Sequence, residues 1–337
     1  LGDDEEAFVT PPVITFFNNK GGVGKTTLVY HAAWMLADLG YRVVAADLDP
    51  QANLTAAFLD DEEVEQLWNS PEPRSIWSAI RPFVDGEGVI GAVTPTPTID
   101  ERLALLPGDL TLSRFEDDLS GQWRECLDGT RLRPFLVTSA FWTVLRSAAE
   151  QHRADVVLVD VGPSLGAINR AALVASDYVV VPVAPDLFSL QGLRNLGPTL
   201  REWREGWRKR LGELRDRDRP LPAGSMAPLG YVVLGHGMRL DRPVKAYQRW
   251  IKRIPVDFHG AVLGETTPPP EPDSYRLAQL KHYHSLMPLA QEARKPVFAL
   301  KPADGAFGGH AQAAQRAYED FRGLAIAILD ASRARAA

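Results

Sequence analysis

Eight consecutive residues, Lys20-Gly21-Gly22-Val23-Gly24-Lys25-Thr26-Thr27, carry the strongest chemical signal in the chain. Glycines leave successive backbone N–H groups free to converge on phosphate oxygens. A helix that starts at once presents its N-terminus to the same anion. Lys25 is then placed to reach the β- and γ-phosphates of a nucleoside triphosphate, and the Thr26 hydroxyl to ligate Mg2+. Two acids follow in Asp47-Leu48-Asp49-Pro50-Gln51, and a third, Asp160, closes the apolar run Val156-Val157-Leu158-Val159. Carboxylates at the ends of apolar strands suit a magnesium triphosphate, and Asp160 is expected to support the metal through water.

The elements that must position these residues can be read from the apolar pattern. Val13 to Asn18 reads as a strand, Thr26 to Leu39 as a helix stopped by Gly40, and Tyr41 to Ala46 as a second buried strand. Strand, glycine loop, helix, strand is a parallel crossover of the usual right hand. Further strands are expected at Leu103 to Leu106, Asp155 to Val159, Tyr178 to Val183 and Leu229 to Leu234. Helices are expected at Phe141 to Gln151, Ser189 to Lys209 and Gln312 to Ala331; Pro268 to Pro272 reads as a stiff connector and the tail as helical in pattern. This alternation predicts a doubly wound α/β fold, a mainly parallel sheet with helices on both faces. The expected organisation is an acidic, disordered segment over residues 1–10. A single ATPase domain then runs over 11–337, with an insertion at 60–135 and a helical C-terminal part.

The loop departs from the ordinary phosphate-binding pattern at two places: Asn19 stands where a glycine is usual, and Lys20 adds a second lysine. In this it resembles the deviant P-loop of the ParA/MinD ATPases. The resemblance is strong over residues 13–60 and 155–200 and closest to the ParA partition ATPases. It implies that ATP and Mg2+ are the cofactors, bound by Lys20, Gly21, Gly22, Val23, Gly24, Lys25, Thr26 and Thr27. It implies that Lys20 reaches across an ATP-dependent homodimer to the partner's nucleotide, that Asp49 orients the attacking water, and that Asp47, with Thr26 and Asp160, serves the metal. Lys20, Lys25 and Asp49 are thus the implied catalytic set. The family usually shows two prolines after the Asp160 position; Gly162-Pro163 stands here, a change expected to alter the mobility of this second switch. Pro182 to Leu193 resembles the family segment beside the nucleotide and dimer face, which puts Pro185 and Asp186 near the base.

Charge adds a partner. The net charge is −6, yet between Arg194 and Arg253 there are 15 Lys or Arg against 6 Asp or Glu, so that the rest carries about −15. Arg201, Arg204 and Arg208 share a helical face, and Lys245, Arg249, Lys252 and Arg253 form a second stripe. Such faces bind phosphate backbones without regard to sequence, as ParA relatives bind DNA. The alternative is a solvated helix face with Trp203 and Trp207 in the core. A ParB-like partner protein that stimulates hydrolysis is implied by the family.

Other classes are narrowed by composition. The one cysteine, Cys126, excludes an intrachain disulfide and a cluster held by cysteines of one chain, and fits a reducing, cytoplasmic setting. No apolar run is long enough to span a membrane, and Leu1 to Glu6 lacks a signal-peptide pattern. The rival reading within the family is a MinD-like membrane switch, which needs an amphipathic C-terminal helix; Leu324 to Ala337 is short and alanine-rich. His282 and His284 read as exposed histidines, and Asp304 to His310 as a flexible loop.

Overall fold

The structure is a computed structural model that describes residues 10–70, 74–216, 218–236, 238–239, 242–243, 245–283 and 285–336, with the backbone alone over the described part of 236–247. Residues 1–9 of the acidic segment and His284 lie outside the described residues. Eight strands form the main sheet: β1 (Val13–Phe16), β2 (Val43–Asp47), β3 (Thr96–Pro97), β4 (Leu103–Leu106), β5 (Val156–Asp160), β6 (Tyr178–Val183), β7 (Ala227–His236) and, after the small ribbon β8 (Met238–Arg239) and β9 (Arg242–Pro243), β10 (Arg276–Lys281). Their order is β10-β7-β6-β1-β5-β2-β4-β3. Every neighbouring pair is parallel except β3 with β4 at the edge. This is the doubly wound α/β sheet that the alternating pattern predicts.

Both faces of the sheet are covered, so the strands are apolar throughout rather than alternating. Val157 and Val159 of β5 enter one core, and Val156 and Leu158 enter the other. The first core lies under α4 (Ile76–Val84), α5 (Phe115–Glu125), α7 (Ala140–His152), α8 (Ala167–Val174) and α9 (Leu187–Glu213). The second lies under α1 (Lys25–Asp38) and the closing helix α13 (Gly309–Ala336), where Met35, Leu36, Phe321, Leu324 and Ile328 are buried. Short helices complete the order: α2 (Asn53–Phe58), α3 (Asp61–Trp68), α6 (Arg133–Thr138), α10 (Lys245–Ile251), α11 (Ile254–Asp257) and α12 (Met287–Ala293).

Two features differ from the sequence expectation. The C-terminal part is not wholly helical: Arg276–Lys281 is a strand that extends the parallel sheet beyond β7. Leu277 and Leu280 stand three apart, a helical spacing. A register irregularity at Leu277 brings both into the same core, which a regular strand would not do. The helix expected over 189–209 runs further at both ends, because Asp186 caps it through the Ser189 N–H (2.8 Å) and a buried Arg210 binds the Trp123 carbonyl through Nε (2.7 Å).

Candidate nucleotide-binding site

The C-terminal ends of β1, β5 and β2 lie side by side, with Phe16 opposite Asp160 and Asp160 opposite Asp47. The glycine loop leaves β1 here. Gly22 and Gly24 adopt positive φ (70° and 84°), which an L side chain would resist, and Gly24 is the N-cap of α1. Asn18 ties the loop down. Its buried side chain donates to the Pro182 carbonyl at 2.6 Å and accepts the Lys20 N–H at 2.9 Å. No sequence pattern distinguished Asn18; its role appears only once β6 is seen beside β1.

Lys25, at the first turn of α1, is only 7% exposed. Burial lowers its pKa, while Asp160 and then Asp49 oppose that shift. Asp160 is fully buried, and neither of its carboxylate oxygens meets a donor at hydrogen-bond geometry. Burial, and next the neighbouring Asp47, push its pKa up to about 8; the Thr26 hydroxyl is near enough to offset part of this but lies outside hydrogen-bond geometry, so the carboxylate stays without a formed donor. An unpartnered buried carboxylate beside Lys25 and Thr26 is what a divalent cation would satisfy, so the residues present fit Mg2+.

Asp47 and Asp49 sit in different surroundings. Asp47 accepts the Thr55 N–H and Oγ1–H at Oδ2, both at 2.8 Å, and the Asp49 N–H at Oδ1 at 3.2 Å. Burial raises its pKa to about 6 although the Thr55 bonds hold it down. Its oxygens are thus engaged by the start of α2. Thr55 in turn accepts the Gly108 N–H (2.8 Å), and Gly108 sits so close that a Cβ there would lie 2.9 Å from the Asp47 carbonyl. Asp49, 8% exposed, accepts the Gln51 N–H at 3.0 Å and faces the cavity. A Cβ on Gly162 would fall 3.2 Å from its Oδ1, so glycine there leaves the carboxylate room.

The cavity holds about 860 Å3 and is lined by Gly21, Gly22, Gly24, Lys25, Thr26, Thr27, Asp49 and Pro163, then extends past Tyr30 and His31 to Met287, Gln291 and Lys295. That volume suits a nucleotide. His31 stands behind the loop. Its Nε2 accepts the Val297 N–H (3.1 Å), so Nδ1 carries the proton and donates to the Thr27 carbonyl (2.7 Å). Burial drives its pKa down to about 4, which keeps the ring neutral. Pro185 and Asp186 do not line this cavity. Asp186 instead holds Lys20, whose Nζ donates to Asp186 Oδ2 at 2.6 Å and to Ser189 Oγ at 3.3 Å.

The basic segment splits. Arg201 donates to the Ala261 carbonyl (2.7 Å) and Arg204 to the Met226 carbonyl (2.5 Å), both half-buried, while Trp203 and Trp207 are core residues. Arg208, Arg249, Lys252 and Arg253 are exposed. Arg249 and Arg253 lie over the Trp250 ring, at 4.4 and 5.5 Å from its centroid. Lys245 opens α10; its side chain lies outside the described residues.

A phosphate cradle at the carboxyl edge of a parallel sheet, with a paired second lysine, defines a class: a P-loop nucleotide-binding protein of the deviant type. The sequence model of the AAA domain family matches residues 12–212, and the chain belongs to that family, within it to the ParA/MinD group. The chromosome-partitioning ATPase Soj of Thermus thermophilus is 34% identical over 198 residues, 59% of this chain and 65% of that protein. The chain thus spans less than two thirds of that relative, and in another curated relative the share is 42%. Among solved structures, protein DIP2308 of Corynebacterium diphtheriae superposes with a TM-score of 0.66 at 26% identity, covering 95% of this chain and 98% of that one. Cyanothece McdA in complex with ATP gives 0.63 at 14% identity, covering 96% of each, a likeness of fold.

Proposed function

We propose that the chain is a ParA-like switch ATPase that binds Mg-ATP, hydrolyses it to ADP and phosphate, and pairs with a second copy in the ATP state. The observation that carries this reading is the unpartnered, buried Asp160 carboxylate beside Lys25 and Thr26 at the N-terminus of α1. Mg2+, when bound with ATP, supplies the charge neutralisation that phosphoryl transfer needs. Thr26 and Asp160 would hold it, with Asp47 acting through the α2 connection it braces. The backbone N–H groups from Gly21 to Thr26 wrap the phosphates, and Lys25 neutralises them. Asp49 accepts a hydrogen bond from the attacking water and so orients it.

Lys20 would serve the partner's nucleotide. The exposed Leu165, Leu187 and Phe188 beside the second switch and at the head of α9 support a dimer face on the same side. Non-specific DNA is the proposed surface of the dimer, through the exposed Arg208, Arg249, Lys252 and Arg253. A partner protein would stimulate turnover, and the cargo would be DNA or a protein assembly, in the cytoplasm on the nucleoid. Names among the relatives, such as chromosome-partitioning ATPase, support this. The MinD-like membrane reading is disfavoured by α13, whose Leu324, Ile328 and Leu329 are buried against the domain. No helix among the described residues is long and apolar enough to cross a membrane.

The test is calorimetry of ATP with and without Mg2+, followed by phosphate release with and without DNA. Magnesium-dependent binding and slow turnover are expected. Absence of any magnesium-dependent affinity would sink the proposal.

A further inference from the structure

The segment after Asp160 passes over the cavity as a strap. Pro163 lines the cavity and stands 3.9 Å from where a Gly21 Cβ would be, and Gly162 abuts the Asp49 carboxylate. The strap is therefore the wall that faces both the glycine loop and the proposed water-orienting acid. Residues 161–166 contain no regular secondary structure, and side chains hold the strap at both ends.

Asn169 and Glu116 are those side chains. Asn169, on the first turn of α8 and 1% exposed, donates from Nδ2 to the Gly162 carbonyl (2.8 Å), the Ser164 carbonyl (2.6 Å) and Ser164 Oγ (3.2 Å). Glu116, on the first turn of α5, accepts the Ala167 N–H (2.6 Å) and the Ile168 N–H (2.9 Å), one with each carboxylate oxygen. It thereby caps α8 from another helix, a charge-assisted arrangement that also suits the α8 dipole. Gly166 makes the approach possible: a Cβ there would lie 2.6 Å from Glu116 Oε1. The far end of α5 is tied in as well, because the guanidinium groups of Arg170 on α8 (4.5 Å) and Arg210 on α9 (4.0 Å) both lie over the Trp123 ring.

We propose that Asn169 and Glu116 are positioning residues for ATP hydrolysis, which fix the Gly162–Ser164 strap over Asp49 and so couple α5 to the second switch. This rests on the functional reading above. Asn169 pins the carbonyl of the very residue against which the Asp49 carboxylate lies. A strap freed from it would let that acid and the water it orients drift. Displacements of ~1 Å can cost ~100-fold in rate without altering affinity. Glu116 anchors the lower end of the same strap, so anything that displaces α5 would act on hydrolysis. The segment 115–125 thus has a role that its sequence, an acidic amphipathic helix, does not disclose.

The experiment compares Asn169→Ala and Glu116→Gln with the wild-type chain by two readouts. Amide hydrogen exchange without nucleotide should rise across residues 162–168 in Asn169→Ala, Pro163 excepted, and at Ala167 and Ile168, whose N–H groups Glu116 accepts, in Glu116→Gln. Steady-state ATPase should show kcat lowered about tenfold or more in Asn169→Ala, less in Glu116→Gln, with KM for ATP within about threefold of wild type. Glu116→Gln keeps one cap acceptor and decides the matter if Asn169→Ala does not fold. Unchanged exchange, or loosened exchange with unchanged kcat, overturns the proposal. A wild-type chain that turns over no ATP counts against the functional reading, and the exchange arm still answers for the clamp.

Discussion

Lys20 Nζ lies 2.6 Å from Asp186 Oδ2, so that the second lysine of the loop is folded back onto its own subunit. Asp186 has a double duty, since it also caps α9 through the Ser189 N–H. Burial acts to raise its pKa, but the Lys20 and Ser189 bonds outweigh that and hold the carboxyl below its usual range. For Lys20 to serve a neighbouring nucleotide, this pair must open. Both side chains are about one third exposed (29% and 37%), so the pair is screened by water and worth ~1 kcal/mol or less. Asp186→Asn keeps a capping side chain and removes the competing charge. ATP-dependent dimerisation, followed by analytical ultracentrifugation, should then occur at up to about fivefold lower protein concentration. Lys20→Ala should still bind ATP and lose dimerisation or turnover; a variant normal in both would remove the case for a cross-subunit lysine.

Asp160 gives a prediction of opposite sign for stability and for function. Its folded pKa of about 8 lies above the ordinary carboxyl value of 3.8, so ionisation is easier in the unfolded chain. The resulting penalty starts as pH rises above the unfolded value and is complete only above about 8. Asp160→Asn removes it. In metal-free buffer at pH 7 the variant should be more stable, by ~1–3 kcal/mol in urea unfolding. Magnesium-dependent ATP binding should weaken at the same time. A variant less stable than wild type in metal-free buffer would show that Asp160 is structurally paired after all.

The loop, the two early strands and the acid at the end of β5 were legible because each is a local pattern: glycines before a helix, or an apolar run closed by a carboxylate. Legibility ended where a residue acts through a distant neighbour. Asn18, Thr55 and Asn169 are ordinary polar residues in sequence, and their partners Pro182, Asp47 and Gly162 are set by strand order or by a turn between elements. Asp186 is expected near the base from the resemblance; its place at the head of α9 sets it against Lys20, and it is not among the residues that line the cavity. β10 was hidden by a bulge that gave its two leucines a helical spacing.

The split of the basic segment can be measured. Arg201 and Arg204 bind the carbonyls of Ala261 and Met226, whereas Arg249, Lys252 and Arg253 are exposed about Trp250. Replacing Arg249, Lys252 and Arg253 together by alanine should weaken non-specific DNA binding and reduce the slope of log K against log salt by about 3, at ~0.9 per phosphate contact. Arg201→Ala with Arg204→Ala should instead lower the melting temperature, because each leaves a carbonyl without its donor. DNA affinity that falls only in the second variant would place the contact on α9.

His259 supplies a test by pH. Its ring nitrogens face Glu265 Oε2 at 2.7 Å and Asp273 Oδ1 at 3.1 Å, and Asp273 also accepts the Tyr231 hydroxyl at 2.7 Å. A carboxylate on each nitrogen favours the doubly protonated ring, which donates to both. Burial alone would lower its pKa, but the Asp273 and Glu265 hydrogen bonds raise it above 6.5. A raised histidine pKa means that the stabilisation is fully present below the unfolded value of about 6.5 and is lost as pH rises through the folded value. Burial acts to raise the pKa of Asp273, but the Tyr231 hydroxyl, the Tyr275 N–H and then His259 outweigh it and hold the carboxyl low, so its share is lost only as pH falls through that depressed value. The expected outcome is a wild-type advantage over His259→Gln that is largest near pH 6 and shrinks by pH 9, read as the difference in urea midpoint between the two chains. Taking the difference cancels Asp47 and Asp160, which titrate in both. A gap that is constant from pH 6 to 9 would mean that the ring is neutral and one of the two carboxylates protonated.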